Sequence, residues 1–97
     1  MDIYIKVIDF VGTSPMPEQG IWFRNNVFYT NLIYAIENNI KVILDFDGTF
    51  DYPTTFIRDI FSDISTKTFK KYVLITNKEF DFLESEIKSF CKKKGIK

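Results

Sequence analysis

Ninety-seven residues, 45% of them apolar and 18% aromatic, bound the chain to one small domain over residues 1–97, with a single core and no room for a separate cap or lid. Lysine plus arginine and aspartate plus glutamate number 13 each, so no net field draws nucleic acid or an anionic membrane, and neither is expected as a partner. The one cysteine, Cys91, has no second thiol for a disulfide and no ligand set for zinc, which fits a reducing cytoplasm.

In chain order, "MDIYIKVIDF" alternates polar and apolar residues, and Ile3, Ile5 and Val7 at period two predict a half-buried strand. The segment lacks a basic region followed by a long apolar core, so neither a signal peptide nor a membrane span is expected. "GTSPMPEQG", with Gly12, Pro15, Pro17 and Gly20, breaks the alternation and reads as a loop. From about Ile21 to Asn38, Phe28, Leu32, Ala35 and Ile36 fall on one helical face, and "ENN" supplies residues that leave helical geometry easily.

"KVILDF" is a short, nearly continuous apolar run, the pattern of a strand covered on both faces at the centre of a parallel sheet. Phe56, Ile57, Ile60, Phe61 and Ile64 then repeat at helical spacing, "STKTFKK" reads as a polar link, and "YVLIT" predicts another buried strand. A strand, helix, strand unit of this kind closes as a right-handed parallel crossover. Leu83, Ile87, Phe90 and Cys91 give a last helix its apolar face, and "KKKGIK" reads as a frayed tail. The fold class expected is α/β, a small mixed, mainly parallel sheet with "VILDF" central and "YVLIT" beside it.

The chemistry gathers in "KVILDFDGTFDYPTTF". Asp45, Asp47, Gly48 and Thr49 follow an apolar strand as D-x-D-G-T, a pattern that resembles the haloacid dehalogenase-like phosphatases. That resemblance implies that Asp45 attacks phosphorus, that Asp47 protonates the leaving group, and that Thr76 in "VLITN" holds the transferred phosphoryl group. The chemistry also needs a lysine against the phosphate and a further acidic pair on a later strand to hold magnesium. After Asn77 only a lysine-rich helix remains, whose Glu79, Asp81, Glu84 and Glu86 read as a solvated face. No magnesium is therefore expected at Asp45 and Asp47, and no metal or cofactor elsewhere. Read from the residues alone, Asp45 and Asp47 accept backbone N–H bonds in a turn. Gly48 supplies a positive φ, and Tyr52 and Pro53 lead the turn into the next helix.

A second resemblance covers nearly the whole chain. Phe23 and Arg24 near the start of the first long helix, then Asp45, Asp47 and Gly48 after a strand, then Tyr52, Thr54, Thr55 and Phe56 opening the next helix, resemble the bacterial STAS-like domain of unknown function. Asp51, Pro53 and the two threonines depart from that family's usual glycine and serines. The resemblance implies a sheet with helices packed largely on one face, related to sulfate transporter and anti-sigma factor antagonist domains. There, a hydroxyl at the start of the helix after a central strand is phosphorylated by a partner kinase.

Thr54 and Thr55 are placed for such a switch, because a helix N-terminus tolerates phosphate and phosphorylation remakes an interface. The plainer reading makes one of them the helix N-cap. Arg24 is a candidate phosphate or carboxylate partner. Trp22, Phe23, Tyr29, Tyr34, Phe50 and Tyr52 exceed what so small a core readily encloses, so part of them is free for a partner patch. The expectation is a non-enzymatic interaction or regulatory module of the bacterial cytoplasm, whose partner is a histidine-kinase-like ATPase or a host or defence protein. The alternatives are a minimal or degenerate aspartate-dependent phosphatase using Asp45 and Asp47, and a phage-borne inhibitor of a host protein.

Overall fold

A computed structural model describes residues 1–50, 53–76 and 81–91, with 81–84 as backbone only. Its elements are β1 (Ile3–Lys6), α1 (Ile8–Val11), α2 (Gln19–Phe23), a π-helical turn (Arg24–Phe28), α3 (Tyr29–Asn38), β2 (Val42–Asp45), α4 (Thr54–Phe61), α5 (Thr66–Tyr72), β3 (Val73–Thr76) and α6 (Asp81–Phe90). Asp51, Tyr52, residues 77–80 and the tail after Cys91 lie outside the described residues, as do the side chains of Asp81, Leu83 and Glu84.

The sheet has the order β1-β2-β3 and both pairings are parallel, so the "VILD" strand is central and "VLIT" lies beside it, as the apolar runs predict. Register aligns Ile3 with Val42 and Val73, Ile5 with Leu44 and Ile75, and Lys6 with Asp45 and Thr76. Parallel neighbours require crossovers, and two right-handed crossovers stepping in the same direction lay their helices on the same side of the sheet. Burial follows that geometry. Ile5, Val7, Val42, Leu44, Phe46 and Val73 are buried beneath the helices, whereas Tyr4 and Leu74 on the opposite face are 56% and 42% exposed.

The sequence reading of "VILDF" as covered on both faces is therefore corrected. Ile43 is only half-buried, and among the described residues the helices cover one face alone. An apolar run shows that a strand is central, but β-branched residues suit an open pleated face as well as a closed one.

The first strand also stops earlier than its alternation implies. Val7 turns into helical geometry at φ −59° and ψ −38°, and its carbonyl accepts the Val11 N–H at 3.2 Å. Period two ends there because Val7 and Val11, one helical turn apart, both bury.

Residues 19–38 form one continuous helical rod interrupted by the π-helical turn at Arg24–Phe28. A wider turn slips the apolar stripe by a fraction of a turn, which lets Phe23, Val27, Phe28, Leu32 and Ala35 all face inward. Ile36, expected on that face, lands at its flank and is 42% exposed. "ENN" ends the rod through Asn39 at φ 57° and ψ 45°. The Asn39 N–H donates to the Ile36 carbonyl at 3.4 Å and the Ile40 N–H to Ala35 at 3.0 Å, the pairing of a Schellman motif.

"STKTFKK" is not a link but the helix α5. Ser65, in extended geometry, caps it by accepting the Thr68 N–H at 3.0 Å, and Phe69 is its one fully buried side chain. A single apolar residue in seven carries no period, which is why the pattern does not announce this helix. Ser65→Ala should cost about 1 kcal/mol, read as a lower urea midpoint with an unchanged m-value. Among the described residues no helix is long and apolar enough to cross a membrane.

Candidate functional site

The D-x-D-G-T segment leaves the carboxyl end of the central strand, the end at which parallel α/β sheets ordinarily present function. Asp45 is the last residue of β2, and its carboxylate is engaged on both oxygens. Oδ1 accepts the Asp47 N–H at 2.9 Å, and Oδ2 accepts the Tyr4 hydroxyl from the neighbouring strand. The first bond closes the D-F-D turn and the second ties β1 to β2 across the open face.

The Asp45 carboxylate that accepts its hydrogen bond holds the Tyr4 phenol above the ordinary tyrosine range, helped by partial desolvation and by the negative charges of Asp45 and Asp47. Deprotonating Tyr4 would set an anion against Asp45, so the phenol keeps its proton.

The next four residues close on themselves. Thr49 is buried, its N–H donates to the Phe46 carbonyl at 3.0 Å, and its Oγ1 donates to the same oxygen at 2.6 Å. Gly48 sits at φ 84°, the positive value such a turn demands at its third residue. Asp47 is exposed at the tip. Phe46 N–H donates to the Thr76 carbonyl at 3.2 Å, and Phe50 N–H to the Thr13 carbonyl at 2.8 Å, so the loop is pinned to β3 on one side and to the 12–18 loop on the other. Thr76 Oγ1 lies 3.5 Å from the Leu44 carbonyl and completes a row of Lys6, Asp45 and Thr76 at the ends of the three strands. Among the described residues, no group of three or more acidic, cysteine or histidine side chains is placed to hold a metal ion.

Thr54 and Thr55 open α4, but neither is its cap. Pro53 occupies that position at φ −69° and ψ 151°, and no side-chain bond closes the helix start. Its carbonyl receives the Phe56 N–H at 3.0 Å and the Ile57 N–H at 3.4 Å. Proline fits because its fixed φ agrees with the cap geometry. The capping reading of the threonines is thereby corrected: Thr54 is the first helical residue and exposed, and Thr55 is half-buried.

Arg24 lies elsewhere. Its Nη1 pairs with Asp63 Oδ2 at 3.4 Å and donates to the Asp59 carbonyl at 3.3 Å, its Nε donates to Asn25 Oδ1 at 3.1 Å, and the guanidinium lies 5.4 Å from the Tyr29 ring centre. It is thus a carboxylate partner, but of Asp63 just beyond α4, where a cation also suits the helix dipole. Eight helical residues, about 12 Å, separate that end from Thr54.

Sequence reasoning passed over Tyr4 and Lys6, which reach this site from β1. Their signal is parity: they are the even, outward positions of the alternating strand. Cys91 is buried, and burial pushes its thiol up to about 11, which keeps it protonated and inert near neutrality. No protein-family model, no curated protein and no solved structure matches the chain.

Proposed function

We propose that the chain is a non-enzymatic protein-binding module whose partner docks at the carboxyl end of the sheet. The observation that carries this reading is the set of large apolar side chains left in water around that end: Phe10 at 45%, Met16 at 55%, Trp22 at 47% and Phe50 at 50% exposure. They stand on segments that fold together. Thr13 receives the Phe50 N–H, Met16 and Gln19 exchange hydrogen bonds, and the Phe10 ring meets Phe23 edge-on at 6.1 Å. Single exposed apolar residues are ordinary, but a group rimmed by polar residues marks an interaction surface. Asp47 and Thr54 form the polar part of the same end.

A phosphoryl group on Thr54 would lie among the unpaired N–H groups of the α4 start and add nearly two negative charges beside the apolar group. That is the physical content of an antagonist-like switch, and the STAS-like resemblance supports it. The kinase it requires is of the histidine-kinase-like ATPase class, in the bacterial cytoplasm.

The test compares variants against a partner purified from the native host. Trp22→Ala and Phe50→Ala should each weaken binding about tenfold or more, since exposed aromatic anchors carry interface energy. Thr54→Asp should also weaken it, while Thr54→Ala should leave stability within about 0.5 kcal/mol because no cap bond is lost. A partner that binds all four variants like the parent sinks the reading.

One observation favours phosphoryl transfer as a second reading: Lys6, Asp45 and Thr76 occupy a single row at the strand ends. Against it, both Asp45 oxygens are already engaged by Tyr4 and Asp47. Magnesium-dependent hydrolysis of a phosphate-ester panel that vanishes in Asp45→Asn would replace the binding reading with the enzymatic one.

A further inference from the structure

The sheet face turned away from the helices carries a charge pattern that joins Lys6 and Asp45, in the strand-end row already described, to Asp2 and Lys41 at the opposite end of the same strands. Along β1, the alternation sets Tyr4 and Lys6 on this face, preceded by Asp2. Along β2 it sets Ile43 and Asp45 there, preceded by Lys41. Asp2 and Lys41 lie level with each other. The Lys41 N–H donates to Asp2 Oδ1 at 3.0 Å, and its carbonyl receives the Ile3 N–H at 2.8 Å. The register then gives an apolar middle row, Tyr4, Ile43 and Leu74, between two polar rows. Read along the strand, β1 runs negative, apolar, positive, and β2 runs positive, apolar, negative. Among the described residues, Asp2, Lys6, Lys41 and Asp45 make no ion pair: the Lys41 ammonium donates to the Lys71 carbonyl at 3.2 Å and the Asp45 carboxylate accepts from Tyr4 and the Asp47 N–H, none of them an opposite charge.

We propose that this face is covered by the same face of a second copy of the chain, about a two-fold axis running along the Tyr4–Ile43–Leu74 row. That axis lays each strand antiparallel over its own copy. Lys6 then faces Asp2 of the other copy, Asp45 faces Lys41, and the apolar row packs on itself. All four charges meet an opposite charge, and each pair occurs twice, as an isologous contact requires. The other aligned arrangement, with the two-fold along the strands, sets Asp45 against Asp45 and Lys6 against Thr76. The pattern is thus self-complementary in one orientation and self-repelling in the other.

Parallel sheets are ordinarily covered on both faces, and two sheets pack face to face with their strands nearly aligned. Three strands about 4.8 Å apart and five residues at about 3.3 Å give a face of roughly 240 Å². That is well below the ~800 Å² per partner of a tight complex, so the dimer is weak and concentration-dependent. It shares Lys6 and Asp45 with the strand-end row but uses none of Phe10, Met16, Trp22, Phe50 and Thr54, so its failure and the failure of the partner surface are distinguishable.

Sedimentation equilibrium of the full chain from micromolar to millimolar concentration is the test. The parent should shift toward twice its mass across that range, and Leu74→Glu should abolish the shift. Lys6→Glu and Asp2→Lys should each raise the dimer dissociation constant about tenfold, because every reversal is felt twice and turns attraction into repulsion. An equal mixture of those two variants should associate better than either alone, since Glu at position 6 of one copy then meets Lys at position 2 of the other. Far-UV circular dichroism checks that each variant is folded. A parent that stays monomeric at millimolar concentration overturns the proposal. So does a dimer indifferent to Leu74→Glu, or a mixture no better than its components.

Discussion

Phe61→Ala should destabilise the chain by about 3–5 kcal/mol, the range for emptying a fully buried aromatic site. Phe61 has no solvent exposure and sits between two rings, edge-on to Phe28 at 5.3 Å and to Phe69 at 5.8 Å. Those rings belong to the π-helical turn and to α5, so this one side chain on α4 joins three segments of the helical layer. Truncation removes the burial, both edge-to-face ring pairs and the packing of whatever fails to close over the cavity.

A domain of this size is held by about 5–15 kcal/mol, so the loss is a large fraction of the whole. Urea denaturation measures it. Phe61→Leu, which keeps most of the volume, should cost less than half as much. A loss below about 1 kcal/mol for Phe61→Ala would mean that the three segments do not depend on a shared ring cluster. Phe69 is the revealing neighbour, because α5 owes its place to that one residue and to the Ser65 cap.

What the sequence makes legible follows from period and continuity. β2 and β3 are continuous apolar runs, and the rod of residues 19–38 and α4 have helical spacing, so their existence and the parallel order of the sheet can be read in advance. α5 cannot, because its evidence is one capping serine and one phenylalanine. The π-helical turn cannot either, since it appears only as a slip between two stretches of helical period. Coverage of the sheet fails for a different reason. Ile43 and Leu74 are as apolar as Leu44 and Val73, and which face the crossovers cover is decided by the handedness of connections, not by composition.

At the candidate site, local chemistry is legible and pairing is not. Gly48 and Asp45 behave as a tight turn requires, and both residues announce it. That Tyr4 would be the second partner of Asp45 is a matter of register between residues 41 positions apart, and no window of sequence contains it. Arg24 shows the same limit: its type promises a carboxylate, yet Asp63 rather than Asp45 is the one within reach. Thr54 shows a third. Proline at the preceding position takes the cap's place through backbone geometry alone, and a hydroxyl beside it then has no capping bond to make.

Gly20→Ala should destabilise the chain by about 1–3 kcal/mol, and its sign is what makes it informative. Gly20 lies in α2, and glycine to alanine inside a helix ordinarily stabilises by about 0.5–1 kcal/mol through backbone entropy. Here a Cβ would stand 2.7 Å from the Phe56 carbonyl oxygen and 3.1 Å from both Phe56 Cα and Asp59 Cβ. The nearest atom is backbone in the first turns of α4, which cannot rotate away as a side-chain end would. α2 or α4 must therefore move, which opens the close approach that seats α4 under the rod. The displacement falls at the candidate site, because Trp22 and Thr54 ride on the two helices being pushed apart. Gly20→Ala should then lower the thermal midpoint and also weaken partner binding, although it removes no side chain from the proposed surface. Stabilisation in place of loss would show that the helices do not approach this closely, and that glycine stands at position 20 for some reason other than helix packing.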